Sequence, residues 1–108
     1  MRFKVILTEN AALDLEDIIN YIARNDSQTA AASVLTHFEK AFKHLEIFPM
    51  KGSYPKELAW LGVKEFRETH FKPYRIIYRV TRRFVYIELI ADGRRNMQTL
   101  LTVRLLER

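Results

Sequence analysis

The run Tyr74-Arg75-Ile76-Ile77-Tyr78-Arg79-Val80 limits what this chain can become more than any other stretch. Tyr74, Ile76, Tyr78 and Val80 fall on one side of a period-two pattern, and Arg75 and Arg79 fall on the other, which is the pattern of a half-buried strand. A second apolar run, Phe84 to Ala91, follows almost at once, so the two form an antiparallel hairpin. If Thr81 faces Phe84 across Arg82-Arg83, then Tyr74, Ile76, Tyr78 and Val80 share a face with Val85, Ile87, Leu89 and Ala91. Arg75, Ile77 and Arg79 then share the opposite face with Tyr86, Glu88 and Ile90. A slip of one residue would place guanidinium groups among aliphatics, at a heavy desolvation cost. The turn holds neither Gly nor Asn, so a longer or bulged loop is the alternative to a tight one.

Length sets the scale around this hairpin. The 108 residues, read as a single domain spanning 1–108, suffice for one core and not for two. Hydrophobic residues at 48% and charged ones at 29% describe a globular chain rather than a disordered one. Without cysteine, neither a disulfide framework nor a thiolate site is possible. No apolar run approaches the roughly 20 residues of a membrane helix, and no signal-peptide pattern opens the chain, so the expected compartment is the cytoplasm. Charge is divided unevenly: residues 1–62 carry seven Lys/Arg against eight Asp/Glu, and residues 63–108 carry eleven against five. The basic excess therefore lies in the hairpin half, either as a solvated surface or as one that meets phosphate or an acidic polypeptide.

Phe3 to Leu7 reads as a strand, and Thr8 can cap the helix that follows. Ala11, Leu15, Ile18 and Ile22 make one helical stripe. Asp26 or Ser27 caps a second helix carrying Ala31, Val34/Leu35, Phe38, Ala41/Phe42 and Leu45, which ends before Pro49. Residues 49–62 form a loop anchored to the core by Leu58, Trp60 and Leu61. Val63 to Phe71 is the next strand, and Asn96 caps a last helix with Met97, Leu100, Leu101 and Leu105 on one side. The resulting class is α+β: an N-terminal strand, an antiparallel helical hairpin packed on one face of a mainly antiparallel four-stranded sheet, and a short C-terminal helix. The other sheet face is expected to stay partly open and to display Arg75 and Arg79.

This order resembles the RelE/ParE superfamily of bacterial toxins, the toxic halves of type II toxin–antitoxin modules. The matching residues are Ala12 to Ile22 (ALDLEDIINYI), Phe48-Pro49, Phe66-Arg67-Glu68, Tyr74 to Arg79, and Gly93-Arg94-Arg95-Asn96. The resemblance implies one of two activities: cleavage of messenger RNA on the ribosome, towards which Arg75 points, or inhibition of DNA gyrase without a nuclease site. A non-toxic nucleic-acid-binding or scaffold domain is the third reading. The resemblance also implies neutralisation by a cognate antitoxin, in a heterotetramer or higher complex, and no cofactor.

On the nuclease reading, Arg75 and Arg94 or Arg95 would hold the scissile phosphate, a role for which a planar fork suits better than an ammonium. The plain alternative for Arg75 is a surface arginine paired diagonally with Glu88. Arg79, Arg67, Tyr86, Lys64 and Lys72 would contact substrate or partner, with Tyr86 as the stacking residue. The chain departs from the nuclease pattern at three places. Asp92 stands where many members have histidine, Phe66 and Glu68 where some have lysines, and Leu100 or Leu101 where one branch has tyrosine. His70 is the one hairpin-half side chain with an ordinary pKa near neutrality, and no motif supports it. His37 and His44 lie seven apart on one helix with no third ligand placed, so no metal site is expected.

Overall fold

The computed structural model describes residues 2–107. Strand β1 (Lys4–Leu7) leads into helix α1 (Glu9–Asn25) and helix α2 (Gln28–Ile47). A 3-10 turn (Pro49–Lys51) and a single-turn helix α3 (Lys56–Ala59) follow. Strands β2 (Phe66–Phe71), β3 (Tyr74–Val80) and β4 (Phe84–Asp92) come next, and helix α4 (Met97–Leu101) continues into a wider π-type turn over Thr102–Leu106. The sheet order is β1-β4-β3-β2, with β1 parallel to β4 and the other pairings antiparallel. The α+β class and its layout are as the sequence indicates.

Local signals placed the helix ends well. The Thr8 hydroxyl accepts from the Ala11 N–H, Ser27 accepts from the Ala30 N–H, and Asn96 accepts from the Thr99 N–H. Each satisfies a donor that the first helical turn leaves unpaired. The α1 and α2 stripes meet the sheet through a core of Ala11, Phe38, Leu45, Ile76, Tyr78, Val85, Ile87 and Ile90. Within it, the Tyr78 hydroxyl donates to the Pro49 carbonyl at 2.7 Å. The tight hairpin turn also forms, with the Thr81 N–H donating to the Phe84 carbonyl at 2.8 Å.

Beyond the middle of β4 the expected sorting of faces fails. Val85 and Ile87 keep their register with Val80 and Tyr78, but Leu89 pairs with Ile77 and Ile90 with Ile76, so Glu88 is the extra residue of a bulge. Side chains after it change sides. Leu89 and Ala91 join Leu58, Phe66, Ile77, Met97, Leu101 and Leu105 in a second core on the far face, and Ile90 joins the helical side. That far face, expected to be partly open, is instead covered by α3 and the C-terminal helix. The central strand is buried on both sides, and strands so placed read as continuous apolar runs rather than alternating ones.

The backbone at the bulge is tied from two directions. Asp14 of α1 accepts from the Ile90 N–H at 3.0 Å, and Arg104 donates both to the Asp14 carboxylate, at 2.9 Å twice, and to the Glu88 carbonyl at 3.3 Å. Arg104→Ala removes this clamp from a half-buried carboxylate. We expect a loss of about 1.5–3 kcal/mol, as for hydrogen bonds to charged groups, read as a lower urea midpoint. Amide exchange should quicken over residues 102–106; unchanged protection there would show that Arg104 does not hold the tail.

Candidate functional site

Arg75 sits on β3 facing the second core, not open solvent. Its Nη1 and Nη2 donate to the two Glu57 oxygens at 2.8 Å each, and its Nε and Nη2 donate to Glu68 at 2.7 and 3.1 Å. Four of the five N–H donors of a guanidinium are thereby used. The side chains are 12%, 11% and 7% exposed for Arg75, Glu57 and Glu68. Hydrogen bonding from Arg75 lowers the Glu57 pKa from 4.5, and bonding to Glu57 raises that of Arg75. Glu57 is carried by α3, and Glu68 by β2 on the same sheet face as Arg75. Gly93 lets the arginine lie flat: a Cβ there would come within 3.0 Å of Arg75 Cδ and 3.3 Å of the Pro73 carbonyl.

The expected outward display of Arg75 is therefore corrected, and so is its suggested partner. Glu88 pairs with Arg79 at 3.2 Å, and the Arg79 guanidinium lies over the Tyr86 ring, 4.9 Å from its centre. Arg67 donates to the Gly52 carbonyl at 2.8 Å and stacks on Tyr54. Lys64 and Lys72 are exposed. His70 Nε2 lies 3.2 Å from Glu68, and His37 stacks on Phe71 with centroids 4.8 Å apart. Among the described residues no cluster of His, Cys, Asp or Glu could hold a metal ion, and no helix is long and apolar enough to cross a membrane.

Arg75 and the Arg94-Arg95 pair open onto different depressions. Ser53, Tyr54, Lys56, Glu68, His70, Arg75 and Gly93 line a shallow cleft of about 420 Å³. A second depression, about 580 Å³, is formed by Asp17, Ile18, Tyr21 and Ile22 of α1 with Tyr74, Asp92, Arg94 and Arg95. Its floor is largely apolar. Arg94 is held by Asp92, with Nη2 to Oδ2 at 2.6 Å and Nε to Oδ1 at 3.0 Å, which brings the Asp92 pKa down to about 2. Burial and the nearby Asp92 carboxylate push the Tyr74 hydroxyl up, so it stays protonated at neutral pH.

Two features escape the sequence reading. Glu57 lies in what reads as a connecting loop, and nothing in its spacing couples it to Arg75. Glu68 did carry a signal, because it shares the period-two face of Phe66 and His70, and His70 is directly opposite Arg75. The second feature is Trp60, expected as a core anchor and found 89% exposed, with Leu61 also outside at 53%. Only Leu58 of that trio is buried.

A parallel-plus-antiparallel sheet bearing a helical hairpin, with a basic C-terminal half, is the layout expected from the resemblance to RelE/ParE toxins. Against known proteins, a family model described as "ParE toxin of type II toxin-antitoxin system, parDE" matches residues 5–97. This chain belongs to that family. It is 30% identical over 94 residues to Toxin ParE3 of Caulobacter vibrioides, covering 87% of this chain and 90% of the relative. Its fold is shared with a solved structure titled "Chromosomal ParDE TA system from P. aeruginosa", at a TM-score of 0.69 and 18% identity. That match spans 84% of this chain and 96% of the other. The protein is thus the toxin of a ParDE-type toxin–antitoxin system, and the family implies an antidote partner.

Proposed function

We propose that this toxin arrests growth in the cytoplasm by inhibiting DNA gyrase and not by cutting ribosome-bound messenger RNA. The observation that carries this reading is the occupied fork of Arg75. A nuclease needs that fork free to take a phosphate, and here two carboxylates already accept its hydrogen bonds at 2.7–3.1 Å. The trio Glu57, Glu68 and Arg75 carries a formal charge of −1, which opposes entry of a further anion. Breaking it to admit phosphate would leave buried carboxylates unpaired, at several kcal/mol. Asp92 in place of the histidine found in many nucleases further removes a group able to shuttle protons near neutrality.

The Tyr21–Arg94–Arg95 depression is the seat we assign to the antitoxin. Its apolar floor suits the apolar side of a segment that folds on binding, and exposed Arg95, beside the Arg94 that Asp92 holds, suits an acidic residue on that segment. Arg67, Arg79, Lys64 and Lys72 are then peripheral contacts to an acidic partner.

The test is a paired assay of the purified chain. Gyrase supercoiling should be inhibited, while primer extension on translated messenger RNA should show no new ends. Messenger RNA cut in a ribosome-dependent way, with supercoiling intact, would reverse the assignment and return Arg75 to the nuclease role.

A further inference from the structure

Trp60 is the chain's one tryptophan, and its exposure has a local cause. On a helical turn, residues two apart point about 200° away from each other. Leu58 is fully buried in the second core, so Trp60 must project outward. The backbone beneath it is closed. The Trp60 N–H donates to the Lys56 carbonyl, and the Leu61 and Val63 N–H groups both return to the Leu58 carbonyl at 3.0 and 2.9 Å. Gly62 makes that return possible at φ +79°, a left-handed conformation that favours glycine. On one side α3 is staked by Glu57 on Arg75, and on another Gln98 of α4 donates to the Glu57 carbonyl. The indole is therefore held out on a fixed base.

An exposed tryptophan beside an exposed Leu61 on a backbone already fixed leaves only the side-chain torsions to be ordered on binding, and tryptophan is enriched among residues that dominate interface energies. The shape selects the kind of partner. A projecting indole needs a partner that already owns a cavity, which a folded protein provides and a short antitoxin segment does not. The charge around it selects further: Lys56 stands one helical turn before Trp60 and Lys64 follows four residues later, both exposed, with exposed Glu65 after it, while the Glu57 carboxylate is turned inward onto Arg75. A pocket with an acidic rim is the complement.

We infer that Trp60, with Leu61 and Lys56, is the anchor by which this toxin engages its folded enzyme target, separately from the depression that receives the antitoxin. This rests on the gyrase reading given above. The experiment uses the full chain, as wild type and as Trp60→Ala and Trp60→Phe, each checked for an unchanged melting temperature. Inhibition of purified gyrase should weaken at least about tenfold in Trp60→Ala and partly recover in Trp60→Phe. With 5-fluorotryptophan, the chain's one ¹⁹F resonance should shift or broaden when gyrase is added. If wild type inhibits gyrase and Trp60→Ala does so equally, the anchor is wrong and the gyrase reading stands. If wild type does not inhibit gyrase, both fall. A ¹⁹F resonance that moves with the chain's own concentration alone would assign the indole to self-association and overturn the inference as well.

Discussion

Arg75→Ala is expected to cost about 3–5 kcal/mol of folding stability, the penalty for leaving buried charges without their partner. For a domain of this size that lowers the melting temperature by well over about 10 °C. Glu57 and Glu68 would lose the guanidinium they share, with His70, 3.2 Å from Glu68, left as a neighbouring base. Removing the carboxylates together with the arginine, in Glu57→Gln/Glu68→Gln/Arg75→Met, should restore much of the loss, since the cost lies in unpaired charge rather than in missing bulk. A pH series gives an independent check. The folded pKa of Glu57 lies below its ordinary 4.5 because Arg75 bonds to the charged form. Its contribution is therefore complete above pH 4.5 and is lost as pH falls through the depressed folded value. Wild type should lose stability over that acid window, and Arg75→Ala should lose distinctly less there. Wild-type stability in Arg75→Ala would mean that the cluster is not structural.

Leu58→Ala should be nearly as damaging, at about 2–5 kcal/mol for a fully buried leucine. Leu58 joins α3 to Phe66, Ile77, Leu89 and Met97, and it fixes the direction in which Trp60 points. The measurement is the urea midpoint at unchanged slope, together with gyrase inhibition below the unfolding range. We expect both to fall. A change in stability below about 1 kcal/mol would show that α3 is not anchored by this side chain.

Much of the fold is legible in the residues because it is encoded locally. The α1 and α2 stripes recur every three or four positions, Thr8 and Asn96 cap their helices by their own side chains, and the β3 alternation holds along its length. The order of the elements is likewise read from the residues, and the family match agrees with it. What the sequence hides is set by distant partners. The bulge at Glu88 carries no glycine to announce it, and its backbone groups are satisfied by Asp14 and Arg104, 76 and 16 residues from their partners. Alternation over Leu89-Ile90-Ala91 cannot show which face each takes, because both faces are covered.

The site was less legible for the same reason. An arginine that alternates with tyrosines and isoleucines on a strand looks solvent-facing until something covers the second face. Here the cover is a four-residue helix inside a stretch rich in Pro and Gly, and its Glu57 meets Arg75 from 18 positions away. Trp60 misleads in the opposite way. A tryptophan in a connecting loop suggests an anchor, and only the burial of Leu58 two residues earlier turns it outward. The Gly93-Arg94-Arg95-Asn96 motif lies beside a depression, and Asp92 holds the first of its two arginines.

The sequestration of Arg75 can be observed directly through its guanidinium Nε–H signal in a ¹⁵N-correlated NMR spectrum. We predict a sharp resonance, slow to exchange with water, that stays in place when inorganic phosphate or an RNA oligonucleotide is added to millimolar excess and that disappears in Arg75→Lys. An Nε–H that exchanges as fast as those of exposed Arg82 and Arg83, or that shifts in proportion to added phosphate, would contradict it.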